Sequence, residues 1–232
     1  MTNKKRKILI TGSSRGIGAQ VARDAHRLGY AVVIHGRKKS PHLEKLQHEL
    51  GCEAVSFDVQ DWAAASEEIR HLDRLDVLVN SAGVNISAPI EKLTLANWRC
   101  VYETNVFGLV GVTNACVALL QRSASARIIN IGSVKGEYSA TGRAAYASSK
   151  AAVSSVTVAM AKEFAPKILV NCIAPGFVET EMTQQTMSAR IRAQIESSLL
   201  GRVSKTKEVS SAVMFLSSAE NTFTTGQTLL VD

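Results

Sequence analysis

The run Ile8-Leu9-Ile10-Thr11-Gly12-Ser13-Ser14-Arg15-Gly16-Ile17-Gly18 carries an apolar segment into a glycine-rich turn, and an amphipathic stretch over 19–28 follows. Strand, glycine turn and helix in that order make a cradle for the pyrophosphate of a dinucleotide. Gly12 permits the tight turn, Gly16 lets backbone approach the phosphates, and Gly18 lets helix and strand pack closely. Free N–H groups at the helix start face the negative charge. Ser14, Arg15 and Ile17 in the same turn are therefore candidate contacts as well.

At 232 residues and 46% hydrophobic, the chain supports one sizeable core and is too short for two comfortable domains. No linker, repeat or low-complexity tract divides it, so the expectation is one domain over residues 1–232. A net charge of +7 raises the question of nucleic acid. Part of that charge is Lys4-Lys5-Arg6-Lys7 ahead of the first strand, read as a solvated start to the chain. Aromatics, at 5%, are too few for a base-stacking platform, and nucleic acid is not an expected partner. No apolar run approaches the ~20 residues of a membrane span. The four cysteines (Cys52, Cys100, Cys116, Cys172) lack metal-ligand spacing, so no metal is expected. A reducing cytoplasm is the default location.

Short β-branched runs alternate with longer helical patterns. Strands are expected near 7–11, 31–35, 54–57, 77–80, 127–132, 169–173 and 228–231. Helices are expected near 17–28, 41–50, 61–71, 95–120, 145–164 and 207–216. Continuous apolar strands such as Val77-Leu78-Val79 imply burial on both faces. The predicted fold is α/β: a doubly wound, Rossmann-type parallel sheet of about seven strands with helices on both faces. In such sheets ligands lie beyond the carboxyl ends of the strands, which is where chemistry belongs.

The second strand ends at His35-Gly36-Arg37-Lys38-Lys39. An acidic residue there, about 20 past the glycines, would hold the ribose hydroxyl of NAD. The chain offers cations instead, and with Arg15 they suit the 2′-phosphate of NADP(H). At the third strand's end Asp58, beside Val59, can accept from the adenine amine or serve only as a turn residue. The fourth strand ends at Asn80-Ser81-Ala82-Gly83, small residues that let backbone lie against a ribose, although Asn80 also suits a plain turn.

The fifth strand ends at Ser133, and the next helix carries Tyr146 and Lys150. A spacing of four puts phenol and ammonium on one helical face. Of the four tyrosines only Tyr146 has a lysine at that offset. An exposed helix face would look the same. Reduction of a ketone by a nicotinamide needs an acid for the oxygen, and a free phenol, with a pKa of about 10, is a poor one near neutrality. Bringing it to about 7 takes roughly 4 kcal/mol, which nearby cations in a partly dry cleft supply. Ser133 would hold the substrate oxygen. Asn105 would kink the long 95–120 helix through a side-chain-to-backbone bond and hold a water behind Lys150.

Together these residues resemble the short-chain dehydrogenase/reductases. The shared features are Thr11 through Gly18, Asn80-Ser81-Ala82-Gly83, Asn105, Ser133, Tyr146-x-x-x-Lys150 and Pro175-Gly176-Phe177-Val178-Glu179-Thr180, in family order along almost the whole chain. The resemblance implies a catalytic tetrad of Asn105, Ser133, Tyr146 and Lys150, with Lys150 also on the nicotinamide ribose. It implies a carboxamide contact from Pro175, Gly176, Val178 and Thr180, and a mobile lid over 181–200 bearing Met182 and Met187. Ser81 replaces the second asparagine of the usual Asn-Asn-Ala-Gly. The segments around Ser133 and 174–183 look most like 3-oxoacyl-[acyl-carrier-protein] reductases, which use NADPH. That likeness implies a carrier-bound substrate, with Arg122, Arg127, Lys167 and Arg202 as candidate rim cations for an acidic carrier. A homodimer or homotetramer through the long helices is also implied. Alternatives are a family member acting on a sugar, polyol, steroid or other small carbonyl, and a catalytically silent NADP-binding regulator.

Overall fold

Every strand expected from the sequence is present, within two residues of its expected ends, in a computed structural model that describes residues 5–232. The first half runs β1 (Lys7–Ile10), α1 (Gly16–Arg27), β2 (Ala31–Gly36), α2 (Pro41–Leu50), β3 (Glu53–Ser56), α3 (Trp62–Ile69) and β4 (Val77–Asn80). A 3-10 turn (Ile90–Lys92) leads to α4 (Leu95–Tyr102), a π turn (Glu103–Phe107) and α5 (Gly108–Leu120). Then come β5 (Ala126–Ile131), α6 (Val134–Tyr138), α7 (Ala144–Phe164) and β6 (Ile168–Pro175). The chain closes with α8 (Glu181–Thr186), α9 (Ala189–Glu196), α10 (Thr206–Ser217) and β7 (Thr228–Val231).

The sheet has seven strands in the order β3-β2-β1-β4-β5-β6-β7, and every pair is parallel. Side chains alternate between its faces, so each apolar strand feeds two cores. Leu9, Leu78, Ile128 and Val170 pack on one side with Ile69, Val112, Cys116, Val153 and Met160 of α3, α5 and α7. Ile8, Ile10, Val77, Val79 and Ile173 pack on the other with Val21, Leu43, Leu46 and Val213 of α1, α2 and α10. The strand order reverses between β1 and β4, which opens the crevice where such sheets bind ligands.

Local chemistry accounts for the helix ends. The Ser40 hydroxyl accepts from the Leu43 N–H, Pro41 stands at the first helical position, and Gly51 ends α2 in the left-handed region. Thr94 and Asn97 form a reciprocal capping box at α4.

Four features of the structure depart from the expectation or add to it. The 95–120 segment is one long rod only in outline, because the π turn widens it at Glu103–Phe107. That rod is also long and apolar enough to cross a membrane, contrary to the reading of the sequence. Much of it is nonetheless packed into the fold, with Val101, Leu109, Val112, Cys116 and Leu120 in the core. The stretch over 181–200 holds two short helices, capped by Thr180 and Ser188. The basic start is not simply solvated. Lys7 pairs with Glu53 at 2.7 Å and Asp73 at 2.8 Å, and Arg6 donates to the carbonyls of Ser125 and Ser217. Lys4 lies outside the described residues.

Candidate active site

The turn after β1 is shaped by close approach. Gly12 has φ +63°, and a Cβ there would stand 2.7 Å from the Ala82 Cα. A Cβ on Gly18 would stand 2.6 Å from the Gly12 carbonyl oxygen. Both contacts exclude any side chain. Arg15 N-caps α1 in extended conformation, and no side chain caps the helix. The first N–H groups of α1 are thus available to an anion, as a dinucleotide pyrophosphate requires. Ser14 is half-buried, and Ile17 packs against the core below the turn.

Three residues that the sequence reading passed over hold this turn. The Thr11 hydroxyl accepts from the N–H groups of Ser81 at 3.0 Å and Ala82 at 3.1 Å, tying β1 to the segment after β4. That segment is held through its backbone, so serine at 81 serves where the family has asparagine. Ser13 Oγ accepts from the His35 N–H at 2.8 Å. His35 Nδ1 accepts from the Gly12 N–H at 3.0 Å, and its Nε2 meets the Phe57 carbonyl at 2.9 Å. Thr11 and Ser13 were visible as polar residues inside the motif, and His35 as a polar residue ending an apolar strand.

At the adenosine end Arg37, Lys38 and Lys39 are exposed, and among the described residues none of them forms an ion pair. Arg15 is exposed and pairs with Glu181 of α8 at 2.9 Å. Asp58 Oδ1 accepts from the Gln60 N–H at 3.1 Å, which is its own turn. Val59 is buried and packs where a Cβ on Gly108 would be, 2.8 Å away. For Asn80 the sequence leaves either backbone against a ribose or a plain turn, and the structure adds a role for its side chain. Its amide donates to Thr113 Oγ1 at 3.1 Å and Asn130 Oδ1 at 2.9 Å inside the core, so its side chain braces β4 against β5 and α5.

The four tetrad residues converge near the ends of β4 and β5. Ser133, at the end of β5, N-caps α6, and its hydroxyl lies near enough to the Tyr146 phenol to act on it. Lys150 Nζ lies 5.9 Å from the Tyr146 ring centroid and donates to the Ile131 carbonyl at 2.6 Å. Burial brings the Lys150 ammonium down to about 8. The Tyr146 phenol stands above its ordinary value, because burial outweighs the Ser133 hydroxyl and the Arg143 charge. The expected lowering draws on the Lys150 ammonium together with the charge of an oxidised nicotinamide; in the chain alone that ammonium is directed at the Ile131 carbonyl.

Asn105 sits in the π turn. Its Oδ1 accepts from the Val84 N–H at 2.8 Å, while its Nδ2 donates to the Val84 carbonyl at 2.9 Å and to Ser149 Oγ at 3.0 Å. The expected side-chain-to-backbone bond is real, but it reaches across to the chain after β4. A Cβ on Gly83 would stand 3.3 Å from Asn105 Oδ1 and 3.7 Å from Lys150 Nζ. Beyond β6, which ends at Pro175, the Gly176 N–H donates to the Val231 carbonyl at 2.9 Å, and Val178 is buried and bridged to Ser204. Thr180 caps α8, and its Cγ2 is 3.6 Å from where a Gly16 Cβ would be. The crevice thus joins the glycine turn to the tetrad.

Three of the four suggested rim cations stand elsewhere. Arg122, Arg127 and Lys167 lie at the amino ends of β5 and β6, opposite the crevice, and Arg127 is buried with its guanidinium on the Asn221 carbonyl. Arg202 is paired with Glu208 at 2.6 Å.

A sequence model of the family described as enoyl-(acyl carrier protein) reductase matches residues 12–232. The acetoacetyl-CoA reductase of Shinella zoogloeoides is 34% identical, over 97% of this chain and 95% of its own. The 3-oxoacyl-[acyl-carrier-protein] reductase of Aquifex aeolicus is 33% identical, over 97% and 94%. The crystal structure of a gluconate 5-dehydrogenase from Burkholderia cenocepacia, in complex with NADP and tartrate, superposes with a TM-score of 0.91 at 32% identity, over 98% and 93%. The chain belongs to the short-chain dehydrogenase/reductase family, oxidoreductases that exchange a hydride between a nicotinamide cofactor and a CH–OH or C=O group.

Proposed function

We propose that the protein uses NADPH to reduce the 3-oxo group of an acyl thioester, carried on acyl carrier protein or a similar thiol, to the 3-hydroxyacyl product. One observation carries this reading: Ser133, Tyr146 and Lys150 gather at the carboxyl end of β5, across the crevice from a glycine turn bordered by unpaired cations. Arg37, with Lys38 and Lys39, suits a 2′-phosphate, and no carboxylate occupies the position that would read a free ribose hydroxyl. The two reductase relatives act, by name, on acetoacetyl-CoA and on 3-oxoacyl-carrier protein, which supports the thioester.

A nicotinamide held in the crevice would supply the hydride. Tyr146 gives its hydroxyl proton to the carbonyl oxygen, and the Ser133 hydroxyl holds that oxygen by a hydrogen bond. The Lys150 cation favours the phenolate left behind. Asn105 positions Lys150 and the chain after β4 by tying Val84 to α7. In this reading Val178 and Thr180 hold the carboxamide, Asp58 the adenine amine, and α8 with α9 form the lid. A cytoplasmic homo-oligomer fits, and Phe107 in the π turn and Val158 on α7 are exposed apolar positions for a second copy.

A second reading, a sugar acid or other small hydroxy acid, is favoured by the likeness to the gluconate 5-dehydrogenase. The test is to follow NADPH loss with a 3-oxoacyl thioester for wild type and Tyr146→Phe. Turnover by wild type and at least a ~100-fold loss in the variant are expected. Wild-type inactivity on every thioester, with turnover of sugar acids, would transfer the assignment to the second reading.

A further inference from the structure

Two cations flank the tetrad without a counter-charge. Lys135 lies two residues beyond Ser133, and its backbone N–H donates to the Ser133 hydroxyl at 3.2 Å. Its ammonium stands over the Phe177 ring, 5.0 Å from the centroid, so it reaches from α6 to the segment after β6. Arg143 is the N-cap residue of α7, three positions before Tyr146, and its charge acts on the phenol. Both residues are half-buried, and among the described residues neither forms an ion pair. Other cations near the crevice differ: Arg15 has Glu181, and Arg202 has Glu208.

A partly desolvated cation with no acid opposite it is unfavourable until an anion or a carbonyl dipole arrives. An ammonium over an aromatic face keeps its charge while losing part of its water, which suits it to bind a ligand oxygen. Ser133 and Tyr146 fix where the reacting carbonyl oxygen sits. Lys135 follows Ser133 by two residues on α6, and Arg143 precedes Tyr146 by three at the start of α7. Cations so placed are suited to a substituent a carbon or two from the reacting centre, a group that is bound and not transformed.

We propose that Lys135 and Arg143 receive the carboxyl-derived oxygen of a 3-oxo substrate, a thioester carbonyl or a free carboxylate, and so select such compounds over plain ketones. The inference rests on the reading above of Ser133 and Tyr146 as the seat of the reacting carbonyl. Neither Lys135 nor Arg143 belongs to the tetrad, and together they make the substrate class a property of the α6–α7 junction.

The test uses the full chain with NADPH and three substrates: the N-acetylcysteamine thioester of acetoacetate, acetoacetate itself, and pentan-2-one. The readout is the ratio of kcat/KM for each 3-oxo substrate to that for pentan-2-one. In Lys135→Met and Arg143→Met this ratio falls roughly tenfold or more, the size of one lost hydrogen bond to a charged group. Lys135→Arg keeps most of it. A larger fall with acetoacetate identifies the carboxylate as the bound group, and a larger fall with the thioester identifies its carbonyl. Dinucleotide binding measured by fluorescence shows that each variant is folded. A ratio within about twofold of wild type in both methionine variants, with wild type still reducing the 3-oxo substrates, overturns this inference alone. Wild-type reduction of pentan-2-one and of neither 3-oxo substrate overturns the thioester reading and this inference together.

Discussion

The Nδ1 atom of His35 accepts the backbone N–H of Gly12 at 3.0 Å, so a β2 side chain holds the first glycine of the phosphate turn. Gly12 presents an N–H and Phe57 a carbonyl oxygen, which together require the tautomer with its proton on Nε2. Burial pushes this imidazole down to about 4, and it stays neutral in the folded protein through the mildly acidic range. A proton on Nδ1 would face the Gly12 N–H and break the link.

The consequence for stability has a definite sign. The folded pKa, about 4, lies below the unfolded value of 6.5, so the unfolded chain binds the extra proton between them. This contribution is fully present above 6.5 and is lost as pH falls toward 4, amounting to roughly 3 kcal/mol. Replacing His35 by Asn removes that titration. The expected outcome is a smaller drop in Tm between pH 6.5 and pH 4.5 than in wild type, with weaker dinucleotide binding at both. Equal drops in the two proteins would show that His35 does not titrate this way.

The strands and most long helices were legible because burial on both faces makes β1, β4 and β5 apolar at most positions, while caps such as Ser40 and Thr94 mark helix starts. The tetrad and the glycine turn were legible because their chemistry needs fixed spacings. What stayed hidden depends on contacts between distant elements. Asn80 has the same sequence neighbours whether its amide faces a ribose or Asn130, and only the packing of β4 on β5 decides. The π turn at Asn105 is hidden because the α5 segment after it is apolar at most positions, so the change of phase made by one extra residue does not stand out. Arg127 reads as a surface cation until β5 is known to lie inside the sheet.

Arg37 tests the cofactor assignment. It is exposed just past β2 and free of ion pairs among the described residues, so Arg37→Asp alters charge with little effect on the fold. Aspartate there repels a 2′-phosphate and can accept from a free ribose hydroxyl. KM for NADPH is expected to rise roughly tenfold or more, and KM for NADH to change far less. Equal rises for the two cofactors would mean that Arg37 does not meet the 2′-phosphate.

Asn105 joins three elements, so its removal is expected to damage both stability and rate. Asn105→Ala leaves the Val84 N–H and carbonyl without their partner and releases Ser149, all close to Lys150. Unfilled buried hydrogen bonds cost ~1–3 kcal/mol each, and a loss of about 2–4 kcal/mol is expected in denaturant unfolding. Asn105→Asp keeps the acceptor for Val84 and should fall between. Because the tie positions Lys150, kcat should fall more than KM for the dinucleotide rises. A kcat unchanged in Asn105→Ala would restrict the residue to holding the fold.

Arg143 offers the clearest pH signature at the tetrad. Its cation favours the phenolate of Tyr146, against the burial that disfavours it. Removing that charge raises the phenol pKa further. Alcohol oxidation needs the phenolate, so in Arg143→Leu the pH at which the oxidation rate rises should move upward. Ketone reduction needs the protonated phenol, so the pH at which reduction declines should move upward too. Both limbs of kcat therefore shift in the same direction, which an altered substrate affinity alone cannot produce. Measuring kcat against pH in both directions checks this, and limbs that coincide with those of wild type would exclude Arg143 from the electrostatics of Tyr146.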